Sequence, residues 1–201
     1  VVFDVAMWFN PEVPRTVEAF TIDPLFQIVS AMSSTAFIVD GFQQWGFLLL
    51  GLTFVMMFFG GCAGSTSGGA KIDRFIVLWK NSTNELERCI RPNHILSVQW
   101  NDKAVSPDLL NKVLVFITLY TGIIVAGALA LSATGVPLTD AFFAALACVS
   151  NAGCELNMAG YGESYILIPD FGKWVLSFLM VTGRLEIFTV LVLFIPGFWR
   201  K

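Results

Sequence analysis

Residues 113–134 form a run of 22 residues that contains no charged side chain and is mostly apolar. A helix needs about 20 such residues to cross the hydrocarbon core of a bilayer. Gly135 and Pro137 follow the run closely, and both residue types end helices. The run therefore predicts a transmembrane helix, and every other segment must fold in a way that a membrane permits.

The composition favours a membrane location for most of the chain. Hydrophobic residues make up 56% of the sequence and charged residues 13%, whereas soluble domains carry roughly 25% charged residues. The formal net charge is −3, without the basic patch that nucleic-acid binding requires. We expect no zinc site, because the four cysteines form no C-x-x-C pair.

A second constraining feature is the segment 60–71, which holds five glycines in twelve residues. Apolar runs, 47–59 and 72–79, flank it on both sides. Glycine breaks helices, and Ser and Thr side chains can satisfy the backbone groups that a break frees. Irregular backbone survives in a membrane only where protein buries it or where it lines a watery cavity. We interpret the segment as a break inside a membrane helix that faces a pore; a loop between two membrane segments, or a soluble linker, is the alternative.

The rest of the chain divides into two similar units. The first unit, 1–79, contains a short helix, a loop and a broken long helix at about 24–33, 34–37 and 46–79. The second unit, 113–201, contains a long helix, a short helix, a loop and a long helix at about 113–134, 140–149, 150–154 and 174–198. A polar loop, 80–112, connects the units. The start at Val1 and the incomplete first unit lead us to expect a piece of a larger protein.

The two units share a spacing. Asp23 precedes Ser34 by eleven residues, and Asp140 precedes Asn151 by the same interval. Internal symmetry of this kind is common in transporters. Chance similarity of two apolar hairpins is the alternative.

Positive charge predicts the orientation in the membrane. Residues 71–112 carry seven of the twelve Lys and Arg residues, and cytoplasmic loops are enriched in these residues. We therefore place this loop and the C-terminus in the cytoplasm, with Lys71 as an anchor at the membrane surface. The opposite side then carries nine acidic groups against two basic ones, which favours the approach of cations.

The two short helices predict a cation site. A helix that ends part-way through a membrane presents the negative end of its dipole. Backbone carbonyls in the following loop can replace the hydration shell of a cation. The candidate loops are 34–37 and 150–154; two ordinary re-entrant hairpins are the alternative.

Arg184 lies in an otherwise apolar helix, where a charge costs at least about 2.5 kcal/mol on insertion scales. It should therefore face a pore or a partner. Glu186 is a poor partner because residues two apart point to different sides of a helix. A packing charge pair deeper in the bundle is the alternative.

Two motifs resemble those of the TrkH/KtrB family of potassium uptake proteins. Residues 60–69 read GGCAGSTSGG and resemble the intramembrane loop of that family, and residues 183–194 read GRLEIFTVLVLF and resemble its final helix. The resemblance implies an all-α membrane fold with four repeats of helix, pore helix, filter loop and helix around one pore. This chain is similar to the third and fourth repeats, so a pore of four repeats would require the missing N-terminal half or another copy of this chain. The resemblance also implies transport of K⁺ across the inner membrane, a homodimer and a cytoplasmic nucleotide-binding regulatory subunit.

The resemblance assigns roles to individual residues. The third filter loop would be Ser34, Thr35, Ala36 and Phe37. The fourth would be Asn151, Ala152, Gly153 and Cys154. The gate beneath them would be Gly60, Gly61, Gly64, Ser65, Thr66, Ser67, Gly68 and Gly69, with Arg184 facing it.

The sequence departs from the family pattern at both filter loops. The third loop lacks the usual glycine between Ala36 and Phe37, and Cys154 and Glu155 stand where the fourth usually has Pro and Gly. Glycine lets carbonyls adopt backbone conformations that other residues avoid. These departures predict weaker discrimination between K⁺ and Na⁺.

We therefore predict passive passage of K⁺ through carbonyl-lined loops, with no covalent cofactor and no catalytic residue. A weakly selective K⁺/Na⁺ pore and a non-conducting membrane module that assembles with a partner are the alternatives. A membrane enzyme using Cys154 and Glu155, or Arg184 and Glu186, is a further rival, although the single histidine lies in the polar loop.

Overall fold

A computed structural model of the chain describes residues 22–35, 37, 39, 47–91, 99–100, 103–153, 168–185 and 187–199. The helices in these ranges are α1 (Asp23–Ser33), α2 (Phe47–Phe59), α3 (Ile72–Ile90), α4 (Pro107–Ser132), α5 (Leu138–Val149), α6 (Asp170–Arg184), α7 (Ile187–Leu193) and α8 (Pro196–Trp199). A short antiparallel hairpin joins β1 (Gln99–Trp100) to β2 (Lys103–Ala104).

Helix α4 is long and apolar enough to cross a membrane. It begins six residues earlier than predicted because the side chain of Ser106 caps it by accepting from the amide of Leu109 at 3.4 Å, and because Pro107 suits the first helical turn. Helices α6 and α7 together pass the same test of length and composition as one broken span. The described residues therefore contain one helix that is long and apolar enough to cross a membrane, or two such spans if α6 and α7 form a single bent span.

Helix α5 forms the centre of the structure. It packs against α4 and α6, and residues 145–149 are at most 3% exposed. The ring of Phe143 stacks on Phe54 of α2 at a centroid distance of 3.9 Å. Twelve residues give a helix of about 18 Å. This helix is too short to span a membrane, as the sequence indicated.

Two predicted boundaries need correction. The segment 80–112 is not a loop throughout, since α3 continues to Ile90 and α4 already begins at Pro107. Polarity was misleading here because α3 is amphipathic, with Glu85 and Arg88 paired at 2.6 Å across one turn. The predicted last helix, 174–198, begins at Asp170 instead and is divided into α6, α7 and α8.

The two short helices end in the same way. Ser34 follows α1 with a φ of 56°, and Asn151 lies just after α5 with a φ of 54°. In each case the next amide donates to a carbonyl five residues back, at 3.1 Å in the first helix and 3.0 Å in the second. This left-handed ending is a common way to satisfy the last carbonyls of a helix. The eleven-residue spacing in the sequence therefore coincides with one repeated backbone geometry.

Candidate functional site: a loop between two short helices

The segment 60–71 is neither helix nor strand, and its two ends lie side by side. The amide of Ala70 donates to the carbonyl of Phe58 at 3.2 Å, and the amide of Ile72 donates to Gly61 at 3.2 Å. The backbone of Gly60 has a φ of 66°, and a β-carbon there would lie 2.4 Å from the carbonyl oxygen of Gly68. Only glycine fits this crossing, which closes the base of the loop.

Arg184, at the end of α6, contacts the loop directly. Its Nη1 donates to the carbonyl oxygen of Thr66 at 2.9 Å. The two residues are 118 positions apart in the sequence, so the contact joins the broken helix of the first unit to that of the second. Hydrogen bonds from a charged donor are stronger than neutral ones.

The end of α1 lies on the other side of the same loop. The amide of Gly68 donates to the Oγ of Ser34 at 3.0 Å, and the Oγ of Ser67 donates to the carbonyl of Met32 at 2.5 Å. Ser34 also donates to the carbonyl of Ser150 at 3.3 Å. One hydroxyl group thereby connects the ends of both short helices with the loop.

The end of α5 is held between two glycines. A β-carbon on Gly68 would lie 1.9 Å from the carbonyl oxygen of Ser150, and one on Gly183 would lie 1.9 Å from that of Val149. Atoms that are not bonded cannot approach this closely. Both glycines are therefore required for the loop and α6 to approach the end of α5.

The loop that follows α1 has its own supports. The carbonyl of Phe37 accepts from the Oγ of Ser30 at 2.7 Å. The amide of Val39 donates to Oε1 of Gln27 at 3.2 Å, and the Gln27 side chain is only 1% exposed. These contacts hold the loop against α1 through side chains that the helix itself provides.

A cavity of about 250 Å³ lies beside the loop. The loop and the helices α3, α4, α6 and α7 contribute the residues that line it: Ser65, Thr66, Ser67, Gly68, Gly69, Lys71, Arg74, Phe116, Tyr120, Gly183, Arg184 and Ile187. The guanidinium carbon of Arg74 lies 3.6 Å from the centre of the Phe116 ring. The charged side chains among these lining residues, Lys71, Arg74 and Arg184, are all basic.

Acidic side chains lie elsewhere. Asp140 is in the first turn of α5, where burial raises the pKa of its carboxyl group above the ordinary value. Asp73 accepts a hydrogen bond from the amide of Ala63, at the tip of the loop. Among the described residues, no group of three or more His, Cys, Asp or Glu side chains is placed to hold a metal ion.

Comparison with known proteins identifies the family. The family model for TrkH, described as a cation transport protein, matches residues 16–201. The chain belongs to the TrkH family. The geometry above is therefore that of a TrkH-family membrane protein, and the predicted all-α membrane class is confirmed by the structural match described next.

Three relatives illustrate the similarity. The Trk system potassium uptake protein TrkH of Escherichia coli K12 is 33% identical over 201 residues, which is 100% of this chain and 41% of that protein. The potassium uptake protein TrkI of Halomonas elongata is 35% identical over 205 residues, with the same coverage. The crystal structure of the potassium transporter TrkH from Vibrio parahaemolyticus superposes with a TM-score of 0.89 at 33% identity, over 99% of this chain and 42% of that one. The chain thus spans about two fifths of the length of these TrkH-family relatives.

The structure brings together one part of the predicted filter set. Ser34 and Asn151 converge on Gly68, whose added β-carbon would lie 3.2 Å from the β-carbon of Asn151. Ala152 is fully buried, whereas Gly153 is exposed.

Other members of that set are not brought to this point. Thr35 pairs with Ser33 at 2.5 Å on the exposed side of α1, and Phe37 is 64% exposed. Ala36 and Cys154, and with them Glu155 and Glu186, lie outside the described residues.

Of the predicted gate set, the base of the loop is buried and its tip is exposed. Gly60 and Gly68 are buried, Gly61, Ser67 and Gly69 are half-buried, and Gly64, Ser65 and Thr66 are exposed. Lys71, interpreted as a surface anchor, ends the loop with a φ of 66° and lines the cavity.

Sequence reasoning missed three contributors in this TrkH-family site: the carbonyl of Ser150, the packing role of Gly183 and the carboxylate of Asp73. Ser150 and Gly183 were noticed only as parts of motifs, because backbone approach between distant segments leaves no local pattern. Asp73 had a signal, since an acidic residue in the first turn of a helix that follows a loop often accepts backbone hydrogen bonds.

Proposed function

We propose that this chain forms half of a potassium-conducting pore. The observation that supports the proposal is the convergence of three segments on residues 66–68: Arg184 binds Thr66, Ser34 binds Gly68, and Ser150 lies against Gly68. The ends of both short helices and the broken span meet there. A scaffold that conducts nothing has no need of such a convergence in the middle of two spans.

The proposed path runs from the ends of the short helices past the loop. The carboxyl ends of α1 and α5 carry partial negative charge, which favours a cation outside them. Carbonyls of 34–37 and 150–154 replace water around K⁺. The loop 60–69 lies below as a gate, and Arg184 holds it in place by binding the Thr66 carbonyl. No catalytic step is involved.

One observation favours a weakly selective pore as the second candidate. The carbonyl of Phe37 accepts from Ser30 at 2.7 Å and is therefore partly occupied by the protein itself. A carbonyl that is already hydrogen-bonded is a weaker ligand for a dehydrated ion. Together with the missing glycine before Phe37, this contact favours passage of Na⁺ as well as K⁺.

The pore requires more than this chain. Three side chains on α1 are between 48% and 63% exposed although all are large and apolar: Leu25, Phe26 and Val29. We propose that two further pore-loop repeats cover them and complete a ring of four, consistent with the length of the relatives. The complete protein would be a homodimer in the inner membrane, with 71–112 and the C-terminus facing a cytoplasmic regulatory subunit.

The test is ion uptake into liposomes that contain the full-length protein carrying this chain. Uptake of rubidium-86 and sodium-22 is measured for the unmodified protein, for Arg184→Ala and for Lys173→Ala. Lys173 is a matched control because it is a cation on the same helix, paired at 3.2 Å with Asp170 in an exposed position. Arg184→Ala is expected to raise rubidium uptake about tenfold, because a charged hydrogen bond to the loop is lost, and Lys173→Ala to leave uptake unchanged.

The outcomes separate the candidates. Rubidium uptake well above sodium uptake supports a potassium pore, and equal uptake supports the weakly selective pore. Absence of flux in every variant, with intact folding shown by a sharp gel-filtration peak, would overturn the pore and favour a non-conducting module.

A further inference from the structure

The hydroxyl group of Ser34 lies among three polar groups from two other segments. It accepts from the amide of Gly68 at 3.0 Å, lies 3.2 Å from the Oγ of Ser67, and lies 3.3 Å from the carbonyl oxygen of Ser150. Two of these groups belong to the loop 60–69, and the third belongs to the end of α5. Ser34 is half-buried, so water has limited access to compete for these contacts.

The protons in this cluster can be assigned by counting. A serine hydroxyl has one proton to donate and can accept from other groups. Ser67 donates its proton to the carbonyl of Met32 at 2.5 Å. The proton of Ser34 therefore has two acceptors at nearly equal distance, the Oγ of Ser67 and the carbonyl of Ser150. It is shared between the loop and α5.

We propose that Ser34 is a positioning residue that couples movement of the loop 60–69 to the carbonyl of Ser150, and thereby couples gate opening to ion preference. The inference rests on the proposed pore. When the loop leaves its place, Ser34 loses both of its partners there. Its single proton then goes entirely to the Ser150 carbonyl, at the point where the fourth filter loop begins.

The surroundings make this coupling direct. The backbone of Ser34 has a φ of 56°, which sets the direction of its Cα–Cβ bond relative to α1. Gly68 approaches Ser150 so closely that not even a methyl group fits between them. Loop movement therefore changes the environment of the Ser150 carbonyl directly.

The test uses Ser34→Gly, because glycine adopts a positive φ easily and the variant loses the hydroxyl group without backbone strain. Ser177→Ala is the matched control: Ser177 is an exposed serine on α6, and it donates to the carbonyl of Lys173 at 2.8 Å within that helix. Each variant is made in the full-length protein with and without Arg184→Ala. Rubidium-86 and sodium-22 uptake give both the rate and the rubidium-to-sodium ratio.

With Ser34 present, Arg184→Ala is expected to raise rubidium uptake and to change the rubidium-to-sodium ratio about fivefold, the effect of one hydrogen bond. In the Ser34→Gly background the same substitution is expected to raise uptake but to leave the ratio unchanged. The Ser177→Ala background should behave like the unmodified protein. A purely structural role for Ser34 would not remove the dependence of ion preference on the gate.

Equal changes of the ratio in both backgrounds would overturn the coupling, even where Arg184→Ala raises flux and the proposed pore stands. Absence of flux in all variants would overturn the proposed pore instead. If Ser34→Gly does not give a folded protein, Ser67→Ala serves in its place. It removes one of the two acceptors, so it is expected to shift the ratio towards that of Arg184→Ala while Arg184 is still present, and an unshifted ratio would contradict the coupling.

Discussion

A β-carbon built on Gly68 would lie 1.9 Å from the carbonyl oxygen of Ser150, well inside the contact distance of the two atoms. This relationship fixes the loop against the end of α5, which is among the most buried helices in the described part of the chain. The opposing atoms are backbone, so a rotamer change cannot relieve a larger side chain. The loop therefore fits against α5 only because Gly68 carries a hydrogen atom where other residues carry a β-carbon.

Gly68→Ala is therefore expected to destabilise the protein by at least about 3 kcal/mol, the upper range for overpacked sites. Gly64→Ala is the matched control in the same loop, since nothing lies within 4 Å of its added β-carbon and only its φ of 83° opposes alanine. That conformation costs about 1 kcal/mol. Thermal unfolding in detergent measures both variants, and equal losses of stability would contradict the close approach.

Gly183→Ala provides a second test of packing around α5. Its added β-carbon would lie 1.9 Å from the carbonyl of Val149 and 2.8 Å from Nδ2 of Asn151. We expect a loss of more than about 2 kcal/mol in unfolding free energy. Gly122→Ala, in the open face of α4, meets nothing within 4 Å and should stabilise that helix by up to about 1 kcal/mol. A stable Gly183→Ala protein would show that α6 lies farther from α5.

Asp73 is expected to protect the tip of the loop. Replacement by alanine removes the acceptor of the Ala63 amide, so deuterium exchange of peptides covering 60–66 should accelerate. Asp73→Asn retains an acceptor oxygen and should preserve most of the protection. Glu87→Ala, an exposed acidic residue on the same helix, is the control. Unchanged deuterium exchange in Asp73→Ala would show that this carboxylate does not protect the tip of the loop.

Gln27 supports the third filter loop from inside α1. Gln27→Met keeps a similar volume but leaves the amide of Val39, a half-buried residue, without its acceptor. We expect a cost of about 1–3 kcal/mol in unfolding free energy, together with a lower rubidium-to-sodium ratio because the loop loses a fixed point. An unchanged rubidium-to-sodium ratio would show that this support of the loop does not contribute to ion selection.

Asp140 predicts a dependence of stability on pH. Burial raises the pKa of its carboxyl group in the folded state, so the folded state binds a proton more tightly than the unfolded state. This contribution is greatest below the ordinary pKa and is lost as the pH rises through the raised value. Asp140→Asn should therefore flatten the change in melting temperature as the pH rises above the ordinary pKa of an aspartate carboxyl group. Asp170→Asn, which removes an exposed carboxylate on α6, is the control.

The sequence predicted the helices better than their ends. The bounds of α1 and α5 came from apolar runs flanked by capping and small residues, which are local signals. The extension of α3 to Ile90 was not predicted, because the many polar side chains of this segment obscure its amphipathic pattern. The early start of α4 depends on Ser106 and Pro107, two residues that lie before the uncharged run from which the helix was predicted.

For the candidate site, the family motifs located the loop and Arg184, but they gave no contacts. The pairing of Arg184 with Thr66 joins residues 118 positions apart, and that of Ser34 with Ser150 joins residues 116 apart. Such pairs depend on how the two units pack, which no local pattern encodes. The roles of Gly68 and Gly183 were not predicted for the same reason. A sequence does not distinguish a glycine that permits close backbone approach from a glycine that permits a turn.

The burial of α5 has a consequence for biogenesis. Its second half, residues 145–149, is covered within the chain, where α5 packs against α2, α4 and α6, so this part has protein rather than lipid around it. The translocon inserts segments into the bilayer according to their own affinity for lipid. A helix as short as α5 would not be inserted on this basis alone. We expect α5 to enter only after its neighbours are in place, so that the last step of membrane integration for this region is a folding event.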